Sequence, residues 1–188
     1  IPAHLDWSRQ LAAGPARFTV LTSRLIRMEY SSDGRFEDRP SQVFWYRRQP
    51  VPTFRVDRDG SGLTLTTDHL RLIWRAGLFA DERPLDIEHP KHVTLLPQGP
   101  TWRYGDAATG NLRGTRRTLD TIDGAAPLEL GLLSRDGWTI VDDSHTLVFD
   151  AAGWLCARDA VEGSLDLYFL SYGRAFHDCL RDYAAVSG

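Results

Sequence analysis

With 188 residues the chain has enough sequence for one domain with a closed hydrophobic core. Hydrophobic residues at 42% and charged residues at 25% give the balance of a globular protein, and a net charge of -3 excludes the concentrated basic surface that nucleic acid or an anionic membrane selects. No apolar run approaches the ~18 residues of a membrane-spanning helix, and the many arginines, scattered among Asp and Glu, read as a mixed solvated face.

The opening run from Ile1 to Trp7 has neither the basic nor the apolar stretch of a secretory signal. Of the two cysteines, Cys156 and Cys179, neither belongs to a Cys-x-x-Cys pair. The expectation is cytoplasmic residence and two buried thiols, with no redox centre, no metal site and no cofactor.

Strand signals dominate from Phe18 onward. Phe18 and Val20 alternate with polar neighbours, and the alternation resumes at Ile26, Met28 and Tyr30 before the turn residues Ser31 to Gly34. Phe54 and Val56 face Leu63 and Leu65 across Asp57 to Gly62, which predicts a hairpin. Leu70, Leu72 and Trp74 form another alternating run. From Pro97 to Gly124 the pattern breaks into a long Gly- and Arg-containing connection, of a kind that is usually functional or disordered. Its Trp102, Tyr104, Leu112, Leu119 and Ile122 favour order.

Beyond it, Leu128, Leu130 and Leu132 alternate up to the turn Ser134 to Gly137, and Trp138 to Val141 returns. Thr146 to Phe149 and Leu165 to Tyr172 complete the predicted strands. Residues 173–186 then change period: Phe176, Leu180 and Tyr183 fall at i, i+4 and i+7, which predicts one amphipathic helix. Many short strands between turns imply an all-β fold, an antiparallel β-sandwich of two face-to-face sheets with a C-terminal α-helix. The helix with nothing after it reads as an excised boundary.

Candidate chemistry is sparse. Asp142 and Asp143 are adjacent in a strand and point to opposite faces, so they suit a turn cap before Ser144 better than a shared site. Asp120 and Asp123 lie in the Gly-rich connection and are placed to line a pocket, although Asp there more often bonds to backbone N–H groups. Asp81 and Glu82 form a third acidic pair. Glu88, His89 and His92 stand close in sequence, but Pro90 prevents a helix that would stack the imidazoles for a metal. Neither a Gly-x-Ser-x-Gly elbow nor a phosphate-cradling Gly motif occurs. Among six tryptophans, Trp102 is the best candidate to stack on a sugar ring, because it lies in the irregular stretch while most others suit core packing.

Several segments resemble the N-terminal domain of glycoside hydrolase family 31, whose members include α-glucosidases and α-xylosidases. Phe18 to Tyr30, followed by Phe36 to Ser41, is similar to that domain's first strands. Trp102 to Gly105, Asn111 to Thr115 and Arg117 to Asp120 are similar to the loop that the domain lends to the active site. Leu133-Ser134-Arg135-Asp136-Gly137-Trp138-Thr139-Ile140-Val141-Asp142-Asp143-Ser144 is the most specific match, and Leu167 to Gly173 resembles the lead-in to the catalytic barrel.

The resemblance implies a galactose-mutarotase-like sandwich over 1–172, and a helix over 173–188 leading to a (β/α)₈ barrel that this chain does not contain. The family's retaining chemistry uses two aspartates of that barrel. The nucleophile's setting, Asp followed by Met-Asn-Glu, does not occur here, where the single methionine is Met28. The chain is therefore expected to be inactive alone, as part of a retaining α-glycosidase. Its partners would be its own barrel and an α-linked oligosaccharide or glycoside. By position in the resembling loop, Asp120 would accept hydrogen bonds from sugar hydroxyls, with Thr121 as its neighbour. Two other classes compete: an independent carbohydrate-binding β-sandwich module, and a mutarotase-type epimerase using a His and a Glu.

Overall fold

The computed structural model describes residues 10–60, 62–75, 92–95, 99–114, 116, 118–159 and 161–188. His4, Trp7, the Asp81–Glu82 pair and His89 lie outside the described residues.

The first five-stranded sheet is built from β1 (Gln10–Ala13), β2 (Ala16–Thr22), β3 (Leu25–Tyr30), β9 (Thr139–Asp142) and β12 (Leu165–Leu170), in the order β1-β2-β3-β12-β9. The second holds β4 (Phe54–Asp59), β5 (Gly62–Thr67), β6 (Leu70–Arg75), β7 (His92–Leu95) and β8 (Thr101–Arg103) in sequence order. A small hairpin pairs β10 (Val148–Phe149) with β11 (Leu155–Cys156), and α1 (Phe176–Ser187) follows β12. Every pairing among these strands is antiparallel. The fold is an all-β antiparallel sandwich with a C-terminal helix, as the alternation predicted.

The two sheets bury different amounts of themselves. In β5 exposure alternates strictly, with Leu63, Leu65 and Thr67 buried, because only one face of the second sheet is covered. In β2 the six residues from Ala16 to Leu21 are all buried, because the first sheet is covered on both faces. Its inner face carries Phe18, Val20, Ile26 and Phe169, which pack against Leu63, Leu65, Leu72, Trp74 and Trp102 of the second sheet. A register shift between Val20 and Thr22 places a bulge at the end of the β2–β3 ladder.

The outer face of the first sheet carries Leu21, Leu25, Tyr168 and Leu170 at one end, where Phe44 and α1 cover them. Phe44 stacks on Tyr168 with centroids 3.5 Å apart. The helix turns Cys179, Tyr183 and Val186 toward this cluster and leaves Leu180 exposed. The buried stripe thus sits beside the predicted one of Phe176, Leu180 and Tyr183. Gly188 ends the helix at a φ of 102°, and its N–H returns to the Ala184 carbonyl.

Three sequence expectations are corrected. Leu128, Leu130 and Leu132 form no strand: backbone bonds tie their segment only to residues 112–114, and Leu128 and Leu130 stay exposed. The strand expected over Thr146 to Phe149 shrinks to two residues, since Thr146 is taken up in a turn bonded to Asp143. Arginine is not confined to a solvated face, for Arg17, Arg27 and Arg47 are buried.

Candidate functional site

The segment from Gly110 to Gly137 leaves the sandwich after β8 and returns before β9. Its two arms are tied together at the base. Gly110 N donates to Asp136 Oδ2 at 2.7 Å, and Arg135 N donates to the Gly110 carbonyl at 2.8 Å. Leu112 N reaches the Leu133 carbonyl at 2.9 Å, and Gly114 N the Glu129 carbonyl at 2.8 Å.

Between these rungs the Asn111 carboxamide is buried and grips Gly131 from both sides, with Nδ2 donating to its carbonyl and Oδ1 accepting from its N–H. Glycine is required at 131 because a Cβ there would lie 2.5 Å from the Arg113 carbonyl oxygen. Arg113 itself has a φ of 66° and donates its N–H to Asn111 Oδ1.

Past this clamp the loop opens into solvent. Ile122 N bonds to the Leu119 carbonyl at 3.2 Å, so Asp120 and Thr121 are the two central residues of a turn. Thr118 Oγ1 accepts from Asp120 N at 3.1 Å and fixes the entry to it. Thr121 has a φ of 63°, a conformation that glycine or asparagine normally takes and that crowds a β-branched side chain. Asp120, Thr121 and Asp123 are all exposed, with the exposed Leu119 next to Asp120 in the chain. The structure therefore brings Asp120 and Thr121 together at one tip. Such a tip can accept hydrogen bonds on a carboxylate and a hydroxyl, and it holds no proton-transfer partner among the described residues.

Trp102 belongs elsewhere. It sits in β8 and is 3% exposed, with Phe169 at 5.1 Å and Trp138 at 6.2 Å between ring centroids. No indole face is left for a sugar, which corrects the expectation drawn from its place in the irregular stretch. Among the described residues the most exposed indole is Trp154, 75% exposed at the end of the β10–β11 turn, where Asp150 Oδ1 accepts from Trp154 N.

The outer face of the first sheet holds an ionic network that the sequence did not reveal. Arg17, Glu29 and Asp166 stand in one row across β2, β3 and β12. Arg17 donates to both oxygens of Glu29 at 2.7 and 2.8 Å, and Arg27 to both oxygens of Asp166 at 2.7 Å. Arg158 bridges Asp166 and Asp143, each at 2.7 Å. Burial pushes the Asp166 carboxyl up, but Arg27 and Arg158 outweigh it and hold the group down to about 2. The two guanidinium groups thus favour its ionised form. A sequence signal did exist: Arg17, Arg27, Glu29 and Asp166 all fall on strand positions opposite to the apolar ones.

Asp142 caps the turn as expected, its Oδ1 accepting from Ser144 N at 2.9 Å, while Asp143 is buried against Arg158. Both cysteines are free thiols, Cys179 buried and Cys156 half-buried. Among the described residues no group of three His, Cys, Asp or Glu side chains is arranged to hold a metal ion.

No family model matches the sequence, and no curated protein matches it. Among solved structures the chain is similar to the Flavobacterium johnsoniae GH31 dextranase FjDex31A complexed with glucose, at 11% identity and a TM-score of 0.49. That similarity covers 94% of this chain and 26% of the dextranase, so the chain spans about a quarter of that enzyme's length.

Proposed function

We propose that this chain is a non-catalytic β-sandwich domain of a family 31 α-glycosidase that hydrolyses α-glucosides or α-xylosides. In this reading it packs on the catalytic barrel and lends the loop tip at Asp120 to the substrate site. The observation that carries the proposal is the loop's construction: a base pinned by Asn111 and Gly131, and a tip that exposes a carboxylate next to the uncovered Leu119. A rigid base under an apolar, unburied tip suits a loop that completes a site on another surface. Backbone strain at Thr121 is of the kind kept where a neighbouring group must be held in position.

The resembling motifs from Phe18 to Gly173 supply the reaction class, and Asp120 falls at the loop position that the resemblance assigns to sugar binding. Its carboxylate would orient an α-linked oligosaccharide on the leaving-group side, and the bond-breaking acids would belong to the barrel. The test is kcat/KM of the intact glycosidase. Asp120→Ala should lower it roughly tenfold or more for an α-linked disaccharide, the cost of about one charge-assisted hydrogen bond. A substrate with an aryl leaving group in place of the second sugar should be nearly unaffected. An unchanged disaccharide value would remove the role of Asp120.

A second reading is favoured by Trp154, whose indole stands free on a short hairpin. An independent carbohydrate-binding module would use such a platform, since sugar C–H faces pack on aromatic rings. Oligosaccharide binding by the 188-residue chain that Trp154→Ala abolishes would select this reading over the first.

A further inference from the structure

At the end of the sandwich where β3 begins and β12 ends lies an open cleft of 570 Å³. The β5–β6 turn, the Arg135 to Gly137 turn and the segment after β12 converge on it. Its walls carry three guanidinium groups, Arg24, Arg135 and Arg174, against two carboxylates, Asp68 and Asp136.

These groups leave the walls one net positive charge. Asp136 already accepts from Gly110 N at 2.7 Å and Asp68 is exposed, whereas Arg135 and Arg174 have no ion-pair partner among the described residues. Arg24 is held in place by donating to the Tyr172 carbonyl at 3.0 Å and by lying 5.7 Å from that ring's centroid. Ser171 lines the same cleft at 3% exposure, and its buried hydroxyl has no hydrogen-bond partner. A buried hydroxyl without a partner is uncommon, because losing water without compensation costs about 1–3 kcal/mol.

We propose that this cleft binds a small oxyanion, the carboxylate, phosphate or sulfate group of a ligand, on Arg135 and Arg174 with the Ser171 hydroxyl as a further donor. Guanidinium forks match the planar and tetrahedral oxyanions bidentately, and two unpaired forks around one cleft leave the charge that such a group would neutralise. The ligand supplies the missing acceptor for Ser171 and the missing counter-charge for the arginines together.

The experiment uses the 188-residue chain and three probes: inorganic phosphate, sulfate and acetate. Amide NMR shifts should move saturably at Gly137, Ser171 and Gly173, and stronger binding of phosphate and sulfate than of acetate would assign a tetrahedral group. Arg135→Gln and Arg174→Gln, both exposed positions that folding tolerates, should each weaken binding about tenfold, the loss of one charge-assisted contact. Arg55→Gln, at an exposed site on β4, should change nothing.

Ser171→Ala separates a ligand role from a structural one. It should weaken binding without lowering the unfolding midpoint, since the hydroxyl it removes bonds to nothing in the fold. Saturable binding that is lost in the arginine variants supports the site. Shifts confined to other residues, non-saturable shifts, or affinity unchanged in both arginine variants would overturn it.

Discussion

Asn111 and Gly131 face each other across the loop base as a side chain pairing with a backbone. Nδ2 donates to the Gly131 carbonyl at 2.8 Å, and Oδ1 accepts the Gly131 N–H at 2.9 Å. The carboxamide does for these two arms what a strand neighbour does in a sheet. Asn111→Ala should therefore cost about 2 kcal/mol, as part-buried backbone groups of Gly131 and Arg113 lose their partner. Gly131→Ala should cost a comparable 1–3 kcal/mol by forcing the arms apart, because the atoms in the way are backbone. Urea midpoints measure the cost, and trypsin cleavage at Arg113 or Arg116 reports the opened loop. Both variants should be cut faster than the parent chain under native conditions.

The Asp166 carboxylate is enclosed by Arg27 and Arg158, with Glu29 and Asp143 as the nearest acids in the network. Asp166→Asn keeps the volume but leaves two buried guanidinium groups short of a counter-charge. A loss of about 3–5 kcal/mol at pH 7 is expected from breaking a buried pair on one side. The sign of the pH dependence follows from the direction of the shift. The folded carboxyl lies at about 2, below its ordinary 3.8, so its contribution is complete above that ordinary value and is lost as pH falls toward 2. Asp143, raised by burial and by Asp166, acts in the opposite sense and delays the loss. Chemical denaturation between pH 7 and pH 2 should show an acid limb in the parent chain that is reduced in Asp166→Asn. An equal limb in both would show that Asp166 is not its source.

The inner half of the sandwich was legible because its alternation reports one buried face. Phe18, Val20 and Ile26 point inward, and Val56 pairs with Leu65 in the hairpin expected from Asp57 to Gly62. The outer face of the first sheet was not legible. Arg17, Arg27, Glu29 and Asp166 look like solvent-facing residues until the Phe36 to Asp38 segment and Arg158 are known to lie against them, and sequence period carries no information on what lies above a sheet. The loop was legible as irregular and ordered. Its clamp was not, because Asn111 and Gly131 are 20 residues apart and their pairing depends on the arms meeting. Trp102 was misjudged for a related reason: a three-residue strand, Thr101–Arg103, is too short to show a period.

Trp102 and Trp154 should respond in opposite ways to truncation. Trp102 packs among Phe169, Trp138 and Tyr104 in the core between the sheets, so Trp102→Ala should destabilise by about 3–5 kcal/mol. Trp154 touches mostly solvent, and Trp154→Ala should stay within about 0.5 kcal/mol of the parent. Thermal or urea unfolding of the two variants decides the matter. A mild Trp102→Ala would mean that the indole is not part of the packed interior.

Leu119, Leu128 and Leu130 remain uncovered on the loop, with Leu119 65% exposed. Side chains of this kind gain by leaving water, at about 25 cal/mol for each Å² buried, so three on one loop favour association with a second surface. When nothing else covers them, that surface is a neighbouring copy. The 188-residue chain should accordingly gain apparent mass with concentration in light scattering, and the triple variant with serine at all three positions should remain monomeric. Because none of the three belongs to the packed clusters of the sandwich, the substitutions should leave the unfolding midpoint nearly unchanged. Stability and association are then separable in one protein. A parent chain that stays monodisperse at high concentration would show that the leucines are too dispersed to act as a patch, and it would weaken the case that the loop tip docks on a barrel.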